Sequence, residues 1–325
     1  MTVTTDDALP MKPRAIHDQT VIFVVMAVSL SCVPFTDIYP IFVMQALCFA
    51  LLACAFNLLI GFGGLLSFGH AMFLGTAGYV SAHVLKVWGL SPELGVLVGV
   101  TASAALAIVT GAVAIRRQGI YFAMITLALS QLVYFLYLQA PFTHGEDGIQ
   151  GVPQGRLFGM FDLSDPTILY YFVLVSFLSG YLFVFRTINS PFGEVLKSIR
   201  ENEPRAISLG YKTDRYKLLA FILSGALAGF AGSLKVFVAQ NVSLTDVHWS
   251  MSGEIVLMTL VGGLGTIFGP VIGAFVIVAM QQYLAGFGQW VTVIQGVIFV
   301  ACVLMFRRGI AGEIANAFVG ARRKI

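Results

Sequence analysis

The residues able to do chemistry are few in this 325-residue chain, where only 11% are charged. The stretch "ENEPRAISLG", Glu201 to Gly210, sets two carboxylates and a guanidinium around a proline. Charge of that density in an apolar chain points to a water-facing loop that meets a soluble partner or simply stays solvated. Within apolar runs stand His70, Lys235 and Glu254, and an ionisable group inside a membrane span is a functional candidate by default. Lys235 and Glu254 are expected at similar depth, where they can pair, line a pathway mouth, or snorkel to the interface. His70 lacks a second ligand at helical spacing, so it reads as a pathway group or as a buried histidine bonded to a backbone carbonyl, and no metal site is expected. No two titratable groups stand at catalytic spacing, and no G-x-x-x-x-G-K-[ST] occurs, so neither an enzyme nor a nucleotide-binding loop is indicated.

The elements that must position these residues are membrane helices. Mean hydropathy is +0.88, and 58% of residues are hydrophobic. From Val21 to Ile115 the ionisable side chains other than Cys and Tyr are Asp37, His70, His83, Lys86 and Glu93, which leaves runs of about 20 apolar residues. No alternating strands of barrel type appear, so the fold class is an all-α integral membrane protein. About ten crossings are expected, at 20–38, 41–60, 64–85, 93–115, 120–140, 167–186, 216–240, 252–268, 269–286 and 290–306. The eighth and ninth are the least regular, because "VGGLGTIFGP" interrupts them and one span with a re-entrant turn would also fit. A polar tail over 1–19, without the features of a signal peptide, precedes a single membrane domain over 20–306, and a basic tail over 307–325 follows.

Positive charge orients these spans. Arg116 and Arg117, six Lys or Arg between 187 and 217, and Arg307, Arg308, Arg322, Arg323 and Lys324 fall on one side if both termini are cytoplasmic. The opposite loop, 141–166, carries Glu146, Asp147, Asp162 and Asp165 against Arg156, and Lys86 is a basic residue on the unexpected side. With a net charge of +3 and the basic residues held in loops, nucleic acid is not a partner. Cys32, Cys48, Cys54 and Cys302 lie in apolar runs and read as small hydrophobes.

Two glycine clusters, "GFGGLLSFG" at 61–69 and "GGLGTIFGP" at 262–270, share the order Gly-Gly-Leu then Phe-Gly. They suggest two broken helices of the kind that bracket a substrate path, or close helix packing through small residues. Asn57, Gly63, Gly64, Ser67, His70, Gly262 and Gly263, joined by Thr126, Ser130 and Gln131 on one face of the fifth helix, are the candidate path residues.

The loop at 187–215 predicts a helix pair. Ser190 caps the first helix, Pro191 opens it, and Phe192, Val195, Leu196 and Ile199 form an apolar face, with Glu194, Lys197, Arg200 and Glu201 turned away. Pro204 opens the second after Asn202 or Glu203, and Gly210 closes it.

The run "SPFGEVLKSIRENEPRAISLGYKTDRYKLLAFILSGALAGFAGSL" resembles the cytoplasmic coupling segment and following helix of LivM-type permeases. These are membrane subunits of ABC importers for branched-chain amino acids. "NLLIGFGGLLSFGHAMFLGTAGY", "GIYFAMITLALSQLVYF", "THGEDGIQGVP" and "LMTLVGGLGTIFGPVIGA" resemble that family's segments in the same order, over about residues 40 to 310. The resemblance implies inward transport of branched-chain or related hydrophobic amino acids. It also implies a second homologous permease, two separate ABC ATPases that use ATP and Mg, a periplasmic binding protein, and a bacterial inner membrane. This chain itself would bind no cofactor. Glu201, Glu203, Pro204, Arg205 and Gly210 would then be the ATPase-coupling residues, and Glu146 and Asp147 would receive the binding protein or remain solvent-facing acids. His144 stands where the family has a glycine. Urea, short amides or aromatic acids are alternative cargoes, and an ion-gradient-driven secondary transporter is the rival class.

Overall fold

The computed structural model describes residues 13–35 and 39–284, with 286, 293–294, 296–297, 300 and 309–312 beyond them. Side chains are described from Val21 onward. Most of the expected tenth crossing at 290–306, of the basic tail and of the N-terminal tail falls outside the described residues, as does Cys302.

Helices carry the body: α1 (Pro13–Ser31), α2 (Pro40–Asn57), α3 (His70–Lys86), α4 (Pro92–Ala114), α5 (Ile120–Gln139) and α6 (Pro166–Ile188). Then come α7 (Pro191–Glu201), α8 (Glu203–Ser208), α9 (Thr213–Ala239), α10 (Trp249–Gly262) and α11 (Gly269–Leu284). Among the described residues, five stretches are long and apolar enough to cross a membrane: Pro40–Phe62, Pro92–Ala114, Ile120–Gln139, Pro166–Ile188 and Thr213–Ala239. Apolarity all round a helix fits either a protein core or a lipid-facing position, and burial separates the two: α2 with its following turn is 89% buried, against 28% for α4 and α5. The bundle is therefore built around α2, with α9, α11 and α6 beside it, α3 packed between α9 and α4, and α4 and α5 on the outside.

Small residues set how closely these helices approach. On α4, Gly99, Ser103 and Ala107 repeat every fourth residue and meet Ser233, Gly229 and Gly225 of antiparallel α9. A Cβ at Gly229 would lie 2.4 Å from Ser103 Cβ, and one at Gly225 would lie 2.6 Å from Ala107 Cβ. Backbones this close exchange dispersion and hydrogen bonds directly, as Ser103 Oγ does by donating to Gly225 O at 2.8 Å.

Three expectations change. The third helix starts at His70 rather than 64, because Gly64 takes a φ of +69° and residues up to Gly69 run without helix. That freed backbone is satisfied by side chains: Phe68 N donates to Thr126 Oγ1 at 3.1 Å and Gly69 N to Ser67 Oγ at 3.2 Å. The eighth run stops at Gly262, since Gly263 has a φ of +118°, and α10 and α11 are two short helices folded against each other. A Cβ at Gly273 would fall 1.8 Å from Met258 O, so the hairpin closes only with glycine there. Finally, the chain is not purely helical. Antiparallel pairs β1 (Ile149–Gln150) with β4 (Asn241–Val242) and β2 (Arg156–Leu157) with β3 (Phe161–Asp162) shape the loops at one end.

Candidate functional site

The α7–α8 loop forms as the sequence indicates. Ser190 Oγ accepts from Gly193 N at 3.4 Å to cap α7, Asn202 Oδ1 accepts from Arg205 N at 3.0 Å to cap α8, and Gly210 has a φ of +90°. Leu196 and Ile199 are buried and Phe192 and Val195 half-buried, so the apolar face rests on the bundle. Outward stand Glu201, Pro204 and Arg205, together with Ile207 at 56% and Leu209 at 69% exposure. Apolar side chains ringed by charge suit a partner surface better than a solvated connector.

Glu203 belongs to neither face as expected. Its carboxylate accepts from Lys217 Nζ of α9 at 2.5 Å, with the two side chains 16% and 4% exposed. It therefore fastens α8 to the bundle and is not a free docking charge.

Arg200 is exposed, as the sequence indicates, yet its side chain also reaches back to the bundle. It lies four residues after Leu196, so the two share a face. Arg200 Nη1 donates to Gly61 O, and its stem covers Gly64, where a Cβ would sit 2.9 Å from Arg200 Cγ. Leu196 covers Gly63, with Cδ1 3.6 Å from where a Cβ would be. The first glycine cluster is thus the seat of α7.

The second cluster joins it. After α2 the chain makes a π turn, Leu58–Phe62, and Asn57 just before it binds the α10–α11 turn twice. Asn57 Nδ2 donates to Thr266 O at 2.8 Å, and its Oδ1 accepts from Gly265 N at 3.0 Å. Asn57, Gly63, Gly64, Gly262 and Gly263 therefore gather at the α7 end of the bundle, and the Asn57 amide is engaged by backbone.

Deeper in, His70 is fully buried, edge-on to Phe56 with ring centroids 5.0 Å apart. Ser224 Oγ donates to Ala55 O at 2.5 Å, so its contact with His70 Nε2 at 2.8 Å requires the imidazole N–H to be the donor. The backbone link expected for His70 runs through this serine. Ser67 and Thr126 hold the 64–69 segment, as described. Ser130 Oγ and Gln131 Nε2, further along α5, have no hydrogen-bond partner among the described residues, and they are the least engaged of the candidate path residues.

At the opposite end, Glu146 and Asp147 are exposed on a short 3-10 turn. His144 holds a φ of +58°, so a glycine-like conformation persists there with a side chain in place. Lys86 Nζ donates to Gln150 O at 2.6 Å, which gives this basic residue a structural partner at that end. Lys235 pairs with Asp246, not Glu254, and lies over Phe49 with its Nζ 5.8 Å from the ring centroid. Glu254 instead accepts from Gln281 Nε2 at 2.9 Å. Asp246 lies in the loop between α9 and α10, and its proximity to Lys235 depends on how β4 returns the chain. Outside the spans, Asp162 is held below the usual carboxylate range by hydrogen bonds from the Ser164 backbone and side chain.

Among the described residues no His, Cys, Asp and Glu cluster could hold a metal. The features assembled at the α7 end are a capped helix pair on a glycine seat, with an outward surface of mixed charge and apolar groups. A family described as "Branched-chain amino acid transport system / permease component" matches residues 39–305. The chain belongs to this family of permeases. Two relatives bear the same stamp. The permease is 27% identical over 285 residues to the high-affinity branched-chain amino acid transport system permease protein LivM of Salmonella typhimurium, covering 81% of this chain and 67% of that one. It is 27% identical over 270 residues to the probable branched-chain amino acid transport permease protein LivH of Methanocaldococcus jannaschii, covering 76% and 82%. A more distant match, the L-arabinose ABC transporter permease protein AraH of Azospirillum brasilense, is 29% identical over 202 residues, 59% of this chain and 56% of that one. No solved structure matches the permease.

Proposed function

We propose that the permease is the membrane subunit of an ABC importer in a bacterial inner membrane, moving branched-chain or related hydrophobic amino acids into the cytoplasm. Its energy comes from two separate ATPases that use ATP and Mg, its substrate from a soluble periplasmic binding protein, and its translocation path forms with a second, similar permease. The observation that carries this reading is the α7–α8 surface. A six-residue helix is marginal alone, yet α8 is capped, ion-paired and held at the bundle end with Ile207 and Leu209 facing outward. Glu201, Pro204, Arg205 and Gly210 would meet the ATPase there, while Glu203 holds the surface in place.

Charge distribution supports the orientation. Arg116 and Arg117 follow α4, whose Gly111 packs on Leu218 and Phe221 of α9, so they share an end with the basic loop. Glu146, Asp147, Asp162 and Asp165 lie at the other end, which is the arrangement of a cytoplasmic α7 end and a periplasmic 141–165 loop. Helices α10 and α11, with 14 and 16 residues, are about 21 and 24 Å long at 1.5 Å per residue. They cover most of a core about 30 Å thick as a packed hairpin, in keeping with about ten helices when the run at 290–306 is counted.

The test is purification of the tagged permease from its native membrane in mild detergent, followed by mass spectrometry. A P-loop ATPase and a second permease should co-purify in fixed ratio. A permease recovered alone that still transports would refute the assignment.

A further inference from the structure

A coupling helix transmits nothing unless something ties it to the membrane helices, and among the ties of α7 and α8 to the bundle, which include Leu196 over Gly63 and Glu203 with Lys217, Arg200 is the one that hydrogen-bonds the broken end of α2. The π turn Leu58–Phe62 breaks the regular ladder at the end of α2: Gly64 N bonds Ile60 O at 3.1 Å and Leu65 N bonds Leu59 O at 3.2 Å. Gly61 O is taken by Arg200. Such turns recur at functional sites because they free a carbonyl and soften the helix. Four residues before Gly61, Asn57 grips both Gly265 N and Thr266 O, at the turn between α10 and α11. The two grips are contiguous, because a Cβ at Gly61 would lie 2.2 Å from Asn57 Oδ1 and 2.8 Å from Gly265 N. Arg200 Nη1 also lies 3.5 Å from where a Cβ on Gly265 would be, so helix α7, the end of α2 and the α10–α11 hairpin meet in one cluster around Gly61.

We propose that Arg200 is the positioning residue that carries movement of α7 into the membrane helices, through Gly61 and then Asn57, rather than a residue that binds the ATPase. This rests on the reading of α7–α8 as the ATPase seat. Arginine suits the task because its planar fork fixes direction as well as distance, and lysine would keep the charge but lose that geometry. Glycine is required beneath it, since Gly64 combines a φ of +69° with direct contact to the Arg200 stem.

The experiment uses the whole assembly, with radiolabelled L-leucine as the transported probe and R200Q, R200K, N57A and R200Q/N57A as variants. R200Q should retain the ATPase at the wild-type ratio and keep basal ATP hydrolysis within about twofold, while uptake falls about tenfold, near the upper end for a residue on a coupling route. Stimulation of hydrolysis by the leucine-loaded binding protein should collapse with it, and R200K should fall between wild type and R200Q. The double variant should lose no more uptake than the worse single variant, because both residues act on one cluster around Gly61 and Gly265, whereas independent structural losses would add. Wild-type uptake in R200Q, loss of the ATPase from R200Q complexes, or additive losses in the double variant would each overturn the inference. Should R200Q fail to accumulate, N57A decides it: an assembled complex with lost uptake supports the route through this cluster, and one with normal uptake overturns it. A wild-type assembly without any ATPase would instead defeat the functional reading, and the inference with it.

Discussion

Replacing Glu203 by Ala isolates what holds the coupling surface in place. The substitution leaves Lys217, whose side chain is 4% exposed, as an unpaired cation among the ends of α8 and α9. Removing one partner of a buried pair costs about 3 to 5 kcal/mol, and a lysine one turn into a helix can bend its stem toward water, so roughly 3 kcal/mol is the working figure. That shifts the docked-to-open balance of α8 by more than about a hundredfold. With six residues and one capping asparagine, α8 has little else to hold it. Limited proteolysis of the purified complex should therefore cut Glu203→Ala within 202–212 far faster than wild type, and the co-purified ATPase should decline in step. The charge swap Glu203→Lys with Lys217→Glu should restore most of both. Unchanged proteolysis in Glu203→Ala would show that the pair does not fasten α8.

Three further outcomes follow from the packing. Asn57→Ala removes two hydrogen bonds to the α10–α11 turn and leaves Gly265 N and Thr266 O without them, so thermal stability in detergent should drop by about 2 to 4 kcal/mol. Gly229→Ala places a methyl against Ser103 at the α4–α9 contact and should cost about 1 to 3 kcal/mol by overpacking, while Gly253→Ala, inside α10 where a Cβ meets nothing, should hold or raise the same melt, by up to about 1 kcal/mol. His144→Gly relieves a left-handed backbone worth about 1 kcal/mol and partly offsets this in unfolded-chain entropy, so the melt should stay level or rise slightly, whereas His144→Val should lower it.

The caps and periodicities of the coupling loop were legible because they are local: Ser190, Asn202 and Gly210 each act on backbone within four residues. The inward reach of the exposed Arg200 also has a local signal, since Leu196 fixes a buried face and Arg200 lies one turn further along the helix. Non-local partnerships left no such trace. Asn57 and Thr266 are 209 residues apart and His70 and Ser224 are 154 apart, and nothing in either segment alone selects the other. Lys235 shows the same limit, because depth alone offered Glu254 while the actual partner, Asp246, is brought in by the β4 return. The glycine repeats were visible as breaks, but their meeting point under α7 required the fold.

The central claim is that this chain moves its substrate only as part of an ATP-driven assembly engaged at α7–α8. The most direct test reconstitutes the purified assembly in liposomes with binding protein and labelled L-leucine. The account predicts accumulation only when ATP reaches the α7 side and the ATPases are present, and none for the chain alone under any imposed ion gradient. Gradient-driven uptake by the chain alone would contradict it.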